Sequence, residues 1–232
     1  MKKNKKYEKV SVIFMQLGLL FTVCLIAANI FETKEIVVSS ITLTGGLLIF
    51  PLTYVICRAV CEVWGFQRAS LLIWMGFLLN FLFIGVAALV DVIPGVAFAD
   101  EINQGFHAIF GLVPRLTLAS CIAFLAGSFV SAFVMSHRKQ KADNSKLVGR
   151  LALSSVFGEA VDSLLFFPIA LLGVHSVEDM FRQMAFQFVL KTVYEIILIP
   201  VVAPTIKKLK KIEGDNAYQQ DIIYGIFDVF KK

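Results

Sequence analysis

The sequence predicts an all-α polytopic membrane bundle of six transmembrane helices, with both termini in the cytoplasm. Three observations carry that prediction. Hydrophobic residues make up 58% of the chain and charged residues 17%, with a mean hydropathy of +0.78, well beyond the usage of a soluble globule. The apolar residues gather into runs of about 20, the length that crosses a bilayer core. The basic residues gather beside those runs, in MKKNKKYEK, SHRKQKADNSK and IKKLKK, as the cytoplasmic flanks of membrane spans do. The net charge of +5 therefore belongs to topology, and nucleic acid is not expected as a partner.

Each span follows from its own run. The first, 10–31, is longer than a signal-peptide core and is followed by no small-x-small cleavage site, so it reads as a retained helix. The second, 42–62, opens on GGLLIFP, an interruption that membranes tolerate where the freed backbone groups find partners or line a cavity. The third is 69–90. The stretch VIPGVAFADEINQGFHAIFG after it reads as an external amphipathic loop, with an interfacial helix or a partial lid as the alternative. The fourth, 114–135, begins PRLTLAS, with Pro114 suited to a first helical turn. A solvated connector, 136–147, leads to the fifth span, 148–172, and the sixth is 184–206. The chain thus divides into a cytoplasmic segment 1–9, a membrane domain 10–206 and a cytoplasmic tail 207–232.

Charge placement sets the expected orientation. Lys2, Lys3, Lys5, Lys6, Lys9, Arg68, Arg138, Lys139, Lys141, Lys146 and the C-terminal lysines fall in alternate polar regions. The intervening loops hold Glu32, Glu35, Asp91, Asp100, Glu101, Glu178 and Asp179, against Lys34 and Arg182. This asymmetry puts the basic regions on the cytoplasmic side of a multi-pass protein of the cytoplasmic (inner) membrane. Cys24, Cys57, Cys61 and Cys121 all lie in apolar runs and read as small buried hydrophobes. His107, His137 and His175 are scattered through loops, so neither a metal site nor a cofactor is expected.

The informative residues are the polar ones inside the spans. A charge at the bilayer centre costs at least ~2.5 kcal/mol even on lenient scales, so each needs a reason. On the second span, Pro51, Tyr54, Arg58 and Glu62 share one face at three- and four-residue spacing. Arg58 and Glu62 are close enough to the cytoplasmic edge that snorkelling is an alternative. On the fourth, Arg115 sits near the outer boundary, and Ser120, Gly127 and Ser131 form a small-residue face suited to helix packing. The fifth begins at Arg150 and carries Ser155, Glu159, Asp162, Ser163 and Phe166 in one stripe. The sixth has Gln187, Lys191 and Glu195 at four-residue spacing. At ~1.5 Å per residue, Asp162 lies about 21 Å from the cytoplasmic edge. Lys191 lies about 10 Å below the outer edge of a roughly 30 Å core, which is nearly the same level. An Asp162–Lys191 pair would neutralise two costly charges, and Glu159 and Glu195 meet nearer the middle. Ion pairs that merely fix helix register are the structural alternative. Several mid-membrane ionisable groups more often mark a substrate pathway.

In order along the chain, AANIF, GGLLIFPLTYVICRAVCEVWG, VPRLTLASCIAF, RLALSSVFGEAVDSLLFFPIALLG and VLKTVYEIILIP resemble the queuosine-precursor transporter family, over residues 20–205. The resemblance implies a six-helix importer of 7-deazaguanines such as preQ0 and preQ1, or of queuine. It is carried at Asn29, Pro51, Glu62, Gly65, Arg115, Ser120, Arg150, Asp162 and Lys191. Two positions depart from the family pattern, which expects aspartates where this chain has Arg58 and Ser131. The cargo implied is a flat 7-deazapurine. A carboxylate such as Asp162 accepts from adjacent N–H groups of its edge, Asn29 supplies a donor and an acceptor, and Tyr54, Trp74 or Phe166 can stack on the ring.

The expected partners are that small molecule and the lipid bilayer, with a homo-oligomer left open. A transporter of another small heterocycle or vitamin-like molecule, energised by a partner module, is the alternative that Arg58 and Ser131 favour. An intramembrane enzyme is disfavoured, because the chain has no HExxH or GxSxG and no histidine within a span.

Overall fold

The computed structural model describes residues 11–38, 41–139, 147–174 and 176–213. Helix α1 (Val12–Phe31) leads into an antiparallel hairpin, β1 (Glu35–Val38) and β2 (Ile41–Thr44), and a 3-10 turn, Gly45–Leu48. Next come α2 (Phe50–Trp64), α3 (Phe66–Val92), α4 (Asp100–Phe110), α5 (Val113–Lys139), α6 (Leu147–Leu171) and α7 (Val177–Glu213). Among the described residues, five stretches are long and apolar enough to cross a membrane: α1, α3, the Asp100–Met135 stretch, α6 and α7. The protein is a multi-pass membrane bundle, as the apolar runs predict. The lysines of residues 1–9, most of the 136–147 connector, His175 and the tail beyond Glu213 lie outside the described residues.

The main difference from expectation is the second span. Helix α2 begins only at Phe50 and runs 15 residues, about 22 Å, short of a bilayer core. Residues 42–49, expected to be helical, instead form strand β2 and the 3-10 turn. The reason is local. Gly45 and Gly46 commit to no conformation, whereas Pro51 in the first turn favours a helix starting at that point. The hairpin pairs Glu35 with Thr44 and Ile36 with Leu43, and the Gly45 amide donates to the Lys34 carbonyl at 2.8 Å. Leu43, Thr44, Gly45 and Gly46 are all buried, as non-helical backbone at membrane depth must be.

The other differences are extensions. Helix α7 continues past the expected end of the sixth span to Glu213, and α5 runs to Lys139. The stretch after the third span holds a helix, α4, rather than a loop. Asp100 and Glu101 stand in its first turn and His107 in its last, as the helix dipole favours, and none of its residues is buried. The His107 ring nitrogen Nδ1 lies 2.7 Å from the Asp91 carboxylate at the end of α3.

Ser11 caps α1 by accepting from the Phe14 amide, and its hydroxyl donates to Glu213 at 2.5 Å, fastening the start of α1 to the end of α7. That end of the bundle also holds the α2–α3 turn. Gly65 there adopts φ 87°, a conformation side chains resist, and joins the two helices without a loop. The hairpin lies at the opposite end.

Polarity is inverted relative to a soluble protein. Leu82, Leu164, Val189, Ile197 and Val201 face outward, whereas Arg58, Glu159, Asp162, Lys191 and Glu195 are buried. Apolar packing holds this arrangement from three sides. Phe124 of α5 anchors the α1–α2–α3 side, 4.5 Å from the Tyr54 ring and within 5.8 Å of the Phe21, Phe50 and Phe77 rings. Phe166, Phe167, Ala119 and Met180 fill the space among α5, α6 and α7 toward the hairpin end. Met135, Leu151, Ile199 and Ile206 fill it toward the other. Between the last two clusters runs a polar seam.

Helices α5 and α6 approach closest beside that seam. A Cβ on Gly127 would lie 2.4 Å from the Tyr54 hydroxyl and 2.7 Å from the Gly158 carbonyl, so only glycine permits the contact.

Candidate functional site

The seam is built from helix periodicity. On α2 the residues Tyr54, Arg58 and Glu62 recur every fourth position. On α6 the stripe is Ser155, Glu159 and Asp162, and on α7 it is Gln187, Lys191 and Glu195. All of these are buried. Each step rises about 6 Å per four residues, so the three stripes meet in successive layers.

The layer nearest the termini holds Glu62, which accepts from Lys210 at 2.5 Å and from Arg150 at 3.4 Å. Arg150 is buried, and its Nε and Nη1 have no hydrogen-bond partner among the described residues. Lys210 belongs to the part of α7 expected to be tail, and sequence reasoning used it only as one of the basic residues that set topology.

Arg58 organises the second layer. Its Nε donates to Ser131 Oγ at 3.0 Å, and its Nη1 donates to Ser155 Oγ at 2.8 Å and to Glu195 Oε2 at 2.6 Å. Its guanidinium carbon lies 5.3 Å from the Tyr54 ring centre. Arg58 and Glu62 thus turn inward rather than snorkel to the edge. Arg58 and Ser131, the two positions at which the resemblance leads us to expect aspartates, touch each other. Glu159 sits fully buried beside this layer, and both its carboxylate oxygens lack a partner among the described residues.

The third layer is the pair expected from depth. Lys191 Nζ donates to Asp162 Oδ2 at 3.3 Å, with both side chains at most 2% exposed. The ammonium also lies 4.4 Å from the Phe50 ring centre and 5.8 Å from that of Phe166. Ser163 Oγ and Ser120 Oγ have no hydrogen-bond partner among the described residues, and the Tyr54 hydroxyl stands beside the Asp162 carboxylate as an available donor. The third layer thus brings a buried ion pair, aromatic rings and polar atoms without partners together, the side-chain types that recognise a flat polar molecule.

The hairpin closes the fourth layer. Gln187 Nε2 donates to Thr44 Oγ1 at 2.6 Å, and the Thr44 amide donates to Gln187 Oε1 at 3.3 Å. Glu32 is buried over Gly46, whose would-be Cβ lies 2.3 Å from the carboxylate, and Lys191 is among its charged neighbours. Asn29, one turn earlier on α1, donates to Leu25 O at 3.0 Å and keeps its Oδ1 unpaired among the described residues.

Of the residues singled out from the sequence, Tyr54, Arg58, Glu159, Asp162, Lys191 and Glu195 line the two central layers. Asn29 lies toward the hairpin, and Glu62 and Arg150 toward the termini. Ser120 is buried on the α5 face that continues to Phe124 and Gly127. Arg115 lies apart from them. Its Nε and Nη2 donate to Ile169 O at 3.0 Å and Leu172 O at 2.6 Å, closing off carbonyls at the end of α6. Trp74 is only half-buried on α3, whereas Phe50, which sequence reasoning passed over, covers Lys191. Glu32 was read as a loop acid; the Gly45-Gly46 pair that lets the hairpin fold back over it was the available signal. Among the described residues no group of three His, Cys, Asp or Glu side chains is placed to hold a metal ion.

A model of the family described as "Putative vitamin uptake transporter" matches residues 44–204. The chain is 24% identical over 189 residues, covering 77% of each sequence, to a "Probable queuosine precursor transporter" of Bacillus subtilis (strain 168). No solved structure matches it. The match takes in the seam residues from Thr44 to Glu195, and the chain belongs to this family of membrane transporters.

Proposed function

We propose that the protein imports queuosine precursors, 7-deazaguanines such as preQ0 and preQ1 or the related base queuine, across the cytoplasmic membrane. In this reading both termini face the cytoplasm and the hairpin faces outside. The central observation is the Asp162–Lys191 pair, buried at mid-bundle, with the Phe50 and Phe166 rings near its ammonium and the Tyr54 hydroxyl beside its carboxylate. A 7-deazaguanine edge offers adjacent N–H groups to the Asp162 carboxylate, its carbonyl oxygen suits the Lys191 ammonium, and Tyr54, Phe50 and Phe166 offer aromatic faces for its ring. Asn29 and Ser120 supply further polar contacts, and Arg150 with Glu62 closes the cytoplasmic end. The relative's name supports the same cargo class.

The Arg58–Ser131 contact favours a second reading, in which the same fold carries another small heterocycle with more acceptor groups. The test is uptake. Cells unable to make the precursor, but expressing this chain, are expected to regain queuosine-modified tRNA when fed preQ0, preQ1 or queuine. No recovery with any of the three rejects the assignment.

A further inference from the structure

The seam is unbalanced in charge. Away from the Glu62 cluster, its buried acids are Glu32, Glu159, Asp162 and Glu195, while its buried cations are Arg58 and Lys191. Both cations are committed by direct contact, Arg58 to Glu195 and Lys191 to Asp162. Glu32 lies near the hairpin with the Thr44 hydroxyl beside it. Glu159 is left in the middle, fully buried, with no donor to either oxygen among the described residues.

Its charged and titratable neighbours come from α2, α6 and α7. Glu195 and Lys191 face it from α7, Asp162 from its own helix, and Arg58 and the Tyr54 phenol from α2. Where α5 meets this part of α6 it brings Gly127 and Ser131, neither of them charged. An ionised Glu159 would be a desolvated carboxylate beside a second carboxylate, with the nearby cations already paired. A carboxylate in that setting binds a proton instead. Glu195 is the neighbouring carboxylate whose charge favours that proton on Glu159.

Resting on the transport reading above, we propose that Glu159 carries a proton in the cargo-free protein and is the group through which a proton gradient drives cargo movement. Protonation adds one proton to the carboxylate from the aqueous phase and returns it on release, with no other reactant. Asp162 lies three residues along the same helix, about 4.5 Å in rise, so cargo and proton act on one charge network. Cargo that engages Lys191 or Asp162 changes the field at Glu159, and by linkage the proton changes cargo affinity by the same factor. Binding the proton on the acidic outer side and losing it on the inner side makes import the downhill direction.

Two measurements on the full chain test this. In lipid nanodiscs without cargo, the infrared carbonyl band of a protonated carboxylic acid is expected in the wild type near neutral pH and missing in Glu159→Gln. In Glu195→Gln the same band is expected to persist only to a lower pH, because the like charge is gone. A wild-type protein without the band, or a Glu159→Gln protein that keeps it, overturns the proton site. In proteoliposomes with labelled preQ0, preQ1 and queuine, the wild type is expected to accumulate cargo when the outside is acidic. The ratio of that accumulation to cargo counterflow is expected to fall in Glu159→Gln to the level seen without a gradient. Wild-type counterflow with no response to the gradient overturns the coupling. Absence of counterflow with all three compounds rejects the cargo reading instead, and the infrared result still decides the proton site.

Discussion

Replacing Asp162 with asparagine leaves the Lys191 ammonium in the interior without the carboxylate that holds it at 3.3 Å. Removing one partner of a buried pair typically destabilises by about 3–5 kcal/mol, because the remaining charge is uncompensated. Here the remaining ammonium still lies 4.4 Å from the Phe50 ring centre. A desolvated cation–π contact of that kind contributes roughly 2 kcal/mol, so the loss is expected at the lower end, about 3 kcal/mol. Lys191→Met strands Asp162 instead, and the carboxylate can shed its charge by taking up a proton, which limits that loss too. The double variant removes both charges, so its loss is expected to fall short of the sum of the singles by about 2 kcal/mol, within the range for residues in contact. The assay is unfolding of the purified wild type, both single variants and the double in one detergent. If the double loses the sum of the singles within about 0.5 kcal/mol, the two residues do not act as a pair and the layered seam is wrong at its centre.

Gly127→Ala forces a methyl group against the Tyr54 hydroxyl and the Gly158 carbonyl, and overpacking of this kind is expected to destabilise by about 1–3 kcal/mol. Gly85→Ala, with nothing within 4 Å of the new Cβ, is expected to be neutral or slightly stabilising in the same melting experiment. Arg58→Lys keeps the charge but loses the fork that reaches Ser131, Ser155 and Glu195 together, so its melting temperature is expected to fall clearly below that of the wild type. Thr44→Val removes the side-chain bond to Gln187 and leaves a buried amide group short of a partner, at a cost of about 1–3 kcal/mol. It is also expected to speed thiol labelling of a cysteine introduced at Glu32, which reports opening of the hairpin over the seam.

The helices were legible in the sequence wherever lipid imposes a single solution. A run of about 20 apolar residues has to be helical because the bilayer offers its backbone no other partner. That reasoning found α1, α3, α5, α6 and α7 within a few residues at most ends. It failed at residues 42–49, where the chain is buried by protein rather than lipid. There Thr44 can hydrogen-bond to Gln187 and Gly45 to Lys34, and helix is no longer compulsory. The start of α7 was missed for a related reason: polar residues such as Glu178 and Asp179 end a hydropathy run but not a helix.

The site was legible to the extent that period and depth determine it. Four-residue spacing put Lys191 and Glu195 on one face, and counting residues from two bilayer edges brought Lys191 level with Asp162. Neither argument specifies which cation each acid meets. The Arg58–Glu195 contact depends on how far α2 is displaced by the hairpin, and the Lys210–Glu62 contact on how far α7 extends. Arg115 came from resemblance alone, and neither period nor depth specifies the carbonyls at the end of α6 that the structure gives it.

The most direct test of the central claim is competition binding to the purified protein, with labelled preQ1 displaced by preQ0, queuine or guanine. The account predicts saturable binding to the wild type, displacement by the 7-deazaguanines in preference to guanine, and loss of binding in Asp162→Ala and Lys191→Ala proteins that still elute as folded species. Wild-type affinity in either variant, or no saturable binding of any of these bases to the wild type, would contradict it.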